Sequence, residues 1–466
     1  MTSSTLPVLV TLTLTISLFT ACKSSESETT EGEISAGGEM GGDTSAGEMT
    51  SGEEMGGEVV AGEMTGGEVV AGEMPGGEVT PSLRLGSFSQ WRRPIDDYIE
   101  TAVEVIGPEL DRGIHELTVW RNRLYMGYGD ADLNAGGVSP IKIYYFDSPE
   151  GERRAEPLET GEEGIYRYRH IQGELMLAGV DSTDADELTS RPLIEGNFLR
   201  TREGTWEKYR AIQGGEHVHD VAQFYEGLWA VGSGADNRDE WENRGVYRYL
   251  WFSGDGGTTW RRYKRVFREE AGDTRFVHLL SVGIRLYVFG YLNPRSGNIS
   301  PRNEMILGPT GEPTPLPNGD VEGEEAHPLS RVFVVETYSL NAEEGVISGF
   351  DINVRRWRAW WVNGAGEIQA LDTWSEALWG TRRVVDLSVD QDTGALTVLV
   401  HDDNELNGTS GRVFHGPSIQ DLHDIGEVSF IEGEEPRSIT LWNDSLYLGR
   451  ADGSIWSAPL TPVSER

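Results

Sequence analysis

The 466-residue sequence predicts an all-β fold, a β-propeller of seven blades with six as the alternative count. Three observations predict it. A strand-like phrase recurs as LYMGYG from Leu124, LMLAGV from Leu175, LWAVGS from Leu228, LYVFGY from Leu286, LTVLVH from Leu396 and LYLGRA from Leu446. Those leucines are spaced by 51, 53, 58, 110 and 50 residues, and the long interval is twice 55, so it conceals one divergent copy. A period near 50 in a β pattern is the signature of propeller blades. Tryptophan is abundant, at 14 residues, which suits sheets packed face to face through large side chains. The last copy offers RSITLW, SLYLGR and SIWSAP but no fourth strand, and the text FSQWRRP around Trp91 resembles the outer-strand texts around Trp206 and Trp260. The segment at Trp91 is therefore expected to complete the final blade and remove its open edge.

The N-terminal elements come first in the chain. An apolar run from Leu6 to Phe19 is too short to span a bilayer comfortably and reads as a signal peptide over residues 1–22. The local text Leu18-Phe19-Thr20-Ala21-Cys22 resembles a bacterial lipobox. The resemblance implies that Cys22 is lipidated and anchors the protein to a membrane, at the bacterial outer membrane or cell surface. Ordinary secretion is the alternative. Cys22 is the single cysteine, so no disulfide forms within the chain and the fold must be held by packing.

Residues 23–81 repeat a ten-residue unit, SGEEMGGEVV, AGEMTGGEVV and AGEMPGGEVT. Such Gly- and Glu-rich text buries too little apolar surface to offset chain entropy, and predicts a disordered acidic tether. The whole chain carries a formal charge of -38, from 77 acidic and 39 basic side chains. The tether holds 14 acidic residues and one lysine, which leaves -25 for the rest. A field of that sign repels nucleic acid and anionic surfaces and favours cations, basic partners or neutral glycans.

Residues 82–466 form the propeller domain, with blade starts near Gly113, Gly164, Glu216, Thr274, Arg382 and Glu435. The divergent copy falls between Arg331 and Trp374, with strands from Val332 and Ile347, and the Pro/Gly/Glu-rich stretch Gly308 to Pro328 reads as a surface insertion. Ile95, Tyr98, Ile99 and Ile106 recur at helical spacing and predict a short packing helix.

Ser253-Gly254-Asp255-Gly256-Gly257-Thr258-Thr259-Trp260 has the pattern S-x-D-x-G-x-T-W. It resembles the Asp-box of sialidase-type propellers (the BNR repeat), in which the Asp ties down a hairpin and the Trp packs between strands. That resemblance implies the propeller fold, with Ser253, Asp255, Gly257, Thr259 and Trp260 as structural residues. It implies no sialidase activity, because the arginine triad and Tyr–Glu pair of those enzymes have no counterpart by motif, and Arg92-Arg93-Pro94-Ile95 has the wrong order for their N-terminal motif.

The candidate site is a funnel at the starts of the first strands. His115, Glu116, His170, His217, His219, Asp220, His278 and Asp386 are the residues expected to contact a ligand there. The loops GDADLN, DSTDADE, GADNRDE and HDDNELN open on the same face. Imidazole and carboxylate together suit a divalent cation, acid–base chemistry, or a polar network around a water-filled channel. Asp130, Asp132 and Asn134 have the D-x-D-x-N look of a calcium loop, although Ile141 stands where such a loop ends in Glu. No HExxH, P-loop, GxSxG or CxxC is present, and no catalytic residue is assigned. The expected function is a surface module that binds a glycan or protein ligand. A hydrolase or lyase acting on carbohydrate at the same funnel, or a protein–protein scaffold, are the alternatives.

Overall fold

The computed structural model describes residues 83–182, 194–237, 240, 247–266, 274–292, 305–309, 311–317, 326–330, 332–371, 383–401 and 410–462. The segment read from sequence as a signal peptide, Cys22 and the acidic repeat lie outside these.

Seven antiparallel sheets follow one another along the chain. Counted outward from the axis, the first blade is Ile114–Trp120, Arg123–Tyr128, Lys142–Phe146 and Arg154–Glu159. The second is Arg169–Ile171, Glu174–Ala178, Glu195–Arg202 and Thr205–Gln213. The third is His217–Phe224, Gly227–Gly234, Tyr247–Ser253 and Arg261–Val266. The fourth is Thr274–Val282, Arg285–Leu292, Met305–Leu307 and Pro313–Pro315. The fifth, the divergent copy, is Val332–Ser339, Glu344–Asp351, Arg356–Asn363 and Ile368–Ala370. The sixth is Arg383–Val389, Leu396–His401, Ser410–Gly416 and His423–Ser429. The Pro/Gly/Glu-rich stretch is thus not all insertion, because Pro313–Pro315 is the outer strand of the fourth blade.

The seventh blade joins the two ends of the domain. Its inner strands are Pro436–Trp442, Ser445–Arg450 and Ile455–Pro462. Two N-terminal strands complete it side by side along the last of these: Ser89–Arg92 pairs with Ile455–Ser457, and Leu83–Leu85 pairs with Leu460–Pro462. Trp91 fixes the closure. Its ring lies 4.6 Å from Phe146, 4.9 Å from Tyr447 and 6.2 Å from Trp442, and its indole N–H donates to the Pro149 carbonyl at 3.0 Å.

The apolar core is distributed between blades. One cluster joins the second and third blades around Phe198, Trp251 and Trp260, and another joins the third and fourth around Trp229, Phe276 and Leu286. The fourth and fifth meet at Phe289 and Trp360, the fifth and sixth at Val346 and Phe414, and the sixth and seventh at Leu399 and Leu448. The largest cluster spans the seventh, first and second blades, through Trp442, Tyr125 and Trp206. Each fully buried side chain of this size contributes about 1.5–3 kcal/mol relative to exposure. The helix Asp96–Ile106 lays Tyr98 and Ala102 on that cluster, the packing role its periodicity predicts.

The S-x-D-x-G-x-T-W stretch folds into the hairpin between the third and outer strands of the third blade. Asp255 Oδ1 accepts from the Thr259 N–H at 2.9 Å and the Ser253 hydroxyl at 2.8 Å, while Gly256 and Gly257 adopt φ of 72° and 91°. The Trp260 indole N–H donates to the Gly257 carbonyl at 2.9 Å, and its ring packs edge-on to Phe198.

Trp91→Ala is expected to remove about 3 kcal/mol of stability, read as a lower urea midpoint. An unmoved midpoint would show that the ring is held closed without this strand.

Candidate functional site

One backbone irregularity builds the channel. Six of the seven innermost strands carry a one-residue bulge at the same place, at His115, His219, Val277, Val335, Val385 and Arg437. A bulge re-aims the side chains that follow it. The residues next in line are Glu116, Asp220, His278, Glu336, Asp386 and Ser438. Arg167 takes the same place in the second blade, counted back from its hairpin turn. The glycine of the recurring phrase stands opposite the bulge. At Gly232 and Gly290 a Cβ would strike the carbonyls of His217 and Arg275 on the neighbouring strand.

The second blade fills the bore. Arg169 Nε and Nη2 donate to the two carboxylate oxygens of Asp220 at 2.8 and 2.6 Å. The same guanidinium crosses to the fifth blade, donating to the Thr337 carbonyl at 3.2 Å and the Thr337 hydroxyl at 3.1 Å. Arg167 pairs with Glu336 and lies 3.6 Å from Asp220. Asp220, 2% exposed, also accepts the N–H of Leu279 at 2.8 Å and so ties the third blade to the fourth. Asp386 accepts the Ile439 N–H at 2.7 Å and ties the sixth to the seventh in the same way. Breaking a buried pair such as Arg169–Asp220 by removing one partner costs about 3–5 kcal/mol, because the other charge stays buried.

The two carboxyls are shifted in opposite directions. Burial works against ionisation of Asp220, but Arg169, Arg167 and the N–H bonds hold its carboxyl below the usual range. Burial pushes Asp386 up to about 7, against the pull of its two N–H bonds and Arg167. Glu116 rises well above its ordinary value through burial and the charge of Asp386. Burial and Arg167 push the His278 ring down to about 3.

A second group gathers at the upper end, where the innermost strands start. Two short strands, Glu162–Gly164 and Val180–Ser182, extend the third blade's sheet across the tops of the second and first, through the pairings Val180↔His217 and Gly129↔Gly164. This ladder brings Asp181 to His217, Oδ2 to Nε2 at 3.3 Å. The His217 and His219 rings lie 6.1 Å apart. Burial and the neighbouring Asp181 push the Glu216 carboxyl up to about 8, against the opposing charge of Arg275. Burial, Arg275 and the other histidines hold His219 well below its ordinary value. His115 stands apart, with Nε2 2.9 Å from the Gly129 carbonyl and its ring 4.8 Å from that of Tyr166.

Of the residues singled out by sequence, Glu116, Asp220, His278 and Asp386 share the bore, and His115, His217 and His219 sit above it. His170 lies at the other end of its strand, next to the hairpin turn, bonded to the Thr118 hydroxyl at 2.8 Å, with burial pushing it down to about 4. Asp130 is 5% exposed and caps backbone: Oδ2 accepts from Asp111 N–H at 2.8 Å and Oδ1 from Leu133 N–H at 3.1 Å. Asp132 is half-buried and Asn134 is exposed, in the left-handed region. Among the described residues no three His, Asp or Glu side chains are gathered tightly enough to hold a metal ion by themselves. Most of DSTDADE and HDDNELN, and residues 238–239 of GADNRDE, lie outside the described residues. Sequence reasoning missed Arg167, Arg169, Arg275 and Glu336; it reached Asp181 only as part of the loop DSTDADE and Glu216 only as a blade start. The available signal was YRYRHIQ, where two arginines alternate with tyrosines at a blade start. Two surface clefts, beside Arg93, Asp97 and Arg153 and beside Phe88 and Trp456, lie away from the bore.

These shifts predict a pH optimum. Glu116, Asp386 and Glu216 are all raised on folding from the ordinary carboxyl range near 4, so each removes stability as pH climbs out of that range, Asp386 up to about 7 and Glu216 up to about 8. His115, His170, His219 and His278 are lowered from 6.5, so their contributions are present above that value and are lost as pH falls below it. The melting temperature is expected to peak near pH 6.5, and Glu216→Gln to flatten the decline on the alkaline side by a few degrees. A decline of equal steepness in that variant would assign it elsewhere.

No protein-family model matches the chain, and no curated protein matches it. Among solved structures it is similar to the β-propeller domain of the Trilobed protease from Pyrococcus furiosus, at 9% identity and a TM-score of 0.41, over 76% of this chain and 96% of that one. It is similar to puromycin hydrolase at 10% identity and a TM-score of 0.42, over 78% of this chain and 52% of that one, so it spans about half the length of that protein. A third similar structure is BamB from Moraxella catarrhalis, at 11% identity and a TM-score of 0.33, over 76% of this chain and 85% of that one. None of these likenesses transfers a function.

Proposed function

We propose that the chain is a lipid-anchored binding module of the bacterial cell surface, held at Cys22 through its acidic repeat, which meets a glycan or protein ligand at the upper end of the propeller. One observation carries this reading. The bore is filled by Arg167, Arg169 and their partners, whereas the ladder above it gathers Glu216, His217 and Asp181 from neighbouring blades without committing them to the Arg169 network. The acidic balance of the domain favours a basic or neutral ligand. The Asp-box resemblance supports the propeller fold and bears on no ligand.

A panel of glycans and basic proteins, screened against the immobilised protein, supplies the ligand. Glu216→Lys, which reverses the charge at the ladder, is expected to weaken the ligand so found by roughly tenfold or more while leaving the near-UV circular dichroism unchanged. Undiminished binding would move the site to the propeller rim and favour a scaffold.

One observation favours a second reading. A carboxyl raised to about 8 beside an Asp–His pair suits acid–base chemistry on a bound glycan. Release of a new reducing end or an unsaturated product, lost in Glu216→Gln, would replace the binding reading with that one.

The anchor has its own test. Cys22→Ala is expected to release the protein from the membrane fraction into the medium. Continued membrane retention of that variant would remove the lipid anchor from the proposal.

A further inference from the structure

We propose that Asp111, His115 and Arg437 form a proton-operated latch on the upper seam between the seventh and first blades. Arg437 closes it while His115 is neutral, and a proton on the His115 ring releases it. Arg437 stands at the bulge of the seventh blade's inner strand, and Asp111 lies just before the first blade's inner strand. Arg437 Nη1 donates to both Asp111 carboxylate oxygens, at 2.7 and 2.6 Å. Gly113 makes room for this, because a Cβ there would strike the guanidinium. Asp111 is also held from its own side. Its Oδ1 accepts the Gly113 N–H at 3.0 Å, and its backbone N–H donates to Asp130 Oδ2 at 2.8 Å.

The geometry of the His115 ring determines what a proton does. Nε2 faces the Gly129 carbonyl at 2.9 Å, and a carbonyl only accepts, so Nε2 carries the hydrogen. Nδ1 is then the bare nitrogen, and Arg437 Nη1 lies 3.5 Å from it. A proton arriving at Nδ1 puts an N–H where the guanidinium met a lone pair, and sets two cations against each other. Asp111 Oδ2 is 4.0 Å from Nε2, so the charged ring becomes a partner for that carboxylate. Arg437, with 33% of its side chain exposed, swings into water. A tie across the seam is thus exchanged for one within the first blade. Around the ring, Asp111 and Asp130 favour its charge, Arg437 opposes it, and the Tyr166 phenol packed beside it stays neutral. Burial adds to the opposition and lowers the ring from 6.5, so release comes on the acid side. Below the latch the seam is kept by groups that do not titrate. The Ser438 hydroxyl donates to the Ile114 carbonyl at 3.0 Å, and the Trp442 indole N–H to the Asn122 carbonyl at 3.2 Å.

The test is hydrogen–deuterium exchange of the full chain from about pH 7.5 to about pH 4.5, corrected for the intrinsic amide rate. Protection over residues 111–116 and 435–438 is expected to fall by roughly tenfold or more on the acid side. Residues 118–122 and 440–446, at the lower end of the same seam, are expected to keep theirs. His115→Gln, which cannot be charged, should hold the upper seam protected throughout. Arg437→Gln should exchange as fast at about pH 7.5 as the wild type does in acid, with no further dependence on pH. An upper seam equally protected across the range would overturn the proposal. So would a loss spread evenly over all seven seams, or one that His115→Gln reproduces. If His115→Gln does not fold, Arg437→Gln decides, because an upper seam that still tightens with rising pH in that variant would also overturn it.

Discussion

The arrangement depends on the reach of Arg169 across the bore. A ring of sheets has no single core, and its innermost strands meet around an axis where polar strand starts converge. Four carboxylates at that place, with Asp220 and Asp386 buried and Glu116 and Glu336 half-buried, would be prohibitive alone. The second blade answers with Arg167 and Arg169, and the others answer with backbone N–H groups directed at Asp220 and Asp386. The same bonds set the angular position of one blade against the next, so electrostatic satisfaction and ring geometry are one problem. The apolar clusters between blades then supply most of the free energy, but they would tolerate sliding that the directed bonds at the axis do not.

This division separates two kinds of polar residue that look alike in the chain. Asp220 is bound on both oxygens by groups from two other blades and its own, and its ionisation is part of the fold. Glu216 and the Asp181–His217 pair sit above, on a ladder of short strands that the propeller repeat does not require. Residues of the first kind can change little without loss of the ring. Residues of the second kind are free to specialise, and the proposed function is built on them.

The propeller was legible because its signal is periodic and local. The phrase from Leu124 to Leu446 encodes the second strand of a blade, and its glycine marks the place where the first strand bulges toward it. The pairing of the Trp91 segment with the last blade was legible from shared outer-strand text, which the observed strand pairing bears out. The bore was only half legible. Glu116, Asp220, His278 and Asp386 were visible because charged residues in apolar strands stand out. Arg167 and Arg169 were not, because the second blade's inner strand is three residues long and its arginines read like those of outer strands. Nothing local announces that Arg169 bonds to Thr337, 168 residues away. The histidines were grouped by type rather than by position, which put His170 with residues at the opposite end of the channel.

The seventh blade carries a consequence for how the molecule forms. Its outer strands come from residues 83–92 and its inner ones from residues 436–462, so the ring is completed by contacts across almost the whole domain. Pairing of such high sequence separation is entropically late and slow. Six blades can assemble in order from neighbours, but the first segment to emerge must wait for the last before either is satisfied. Until then two sheet edges are available to any other chain. During that interval crowding by its own kind, rather than the stability of the finished ring, limits how much of the chain folds.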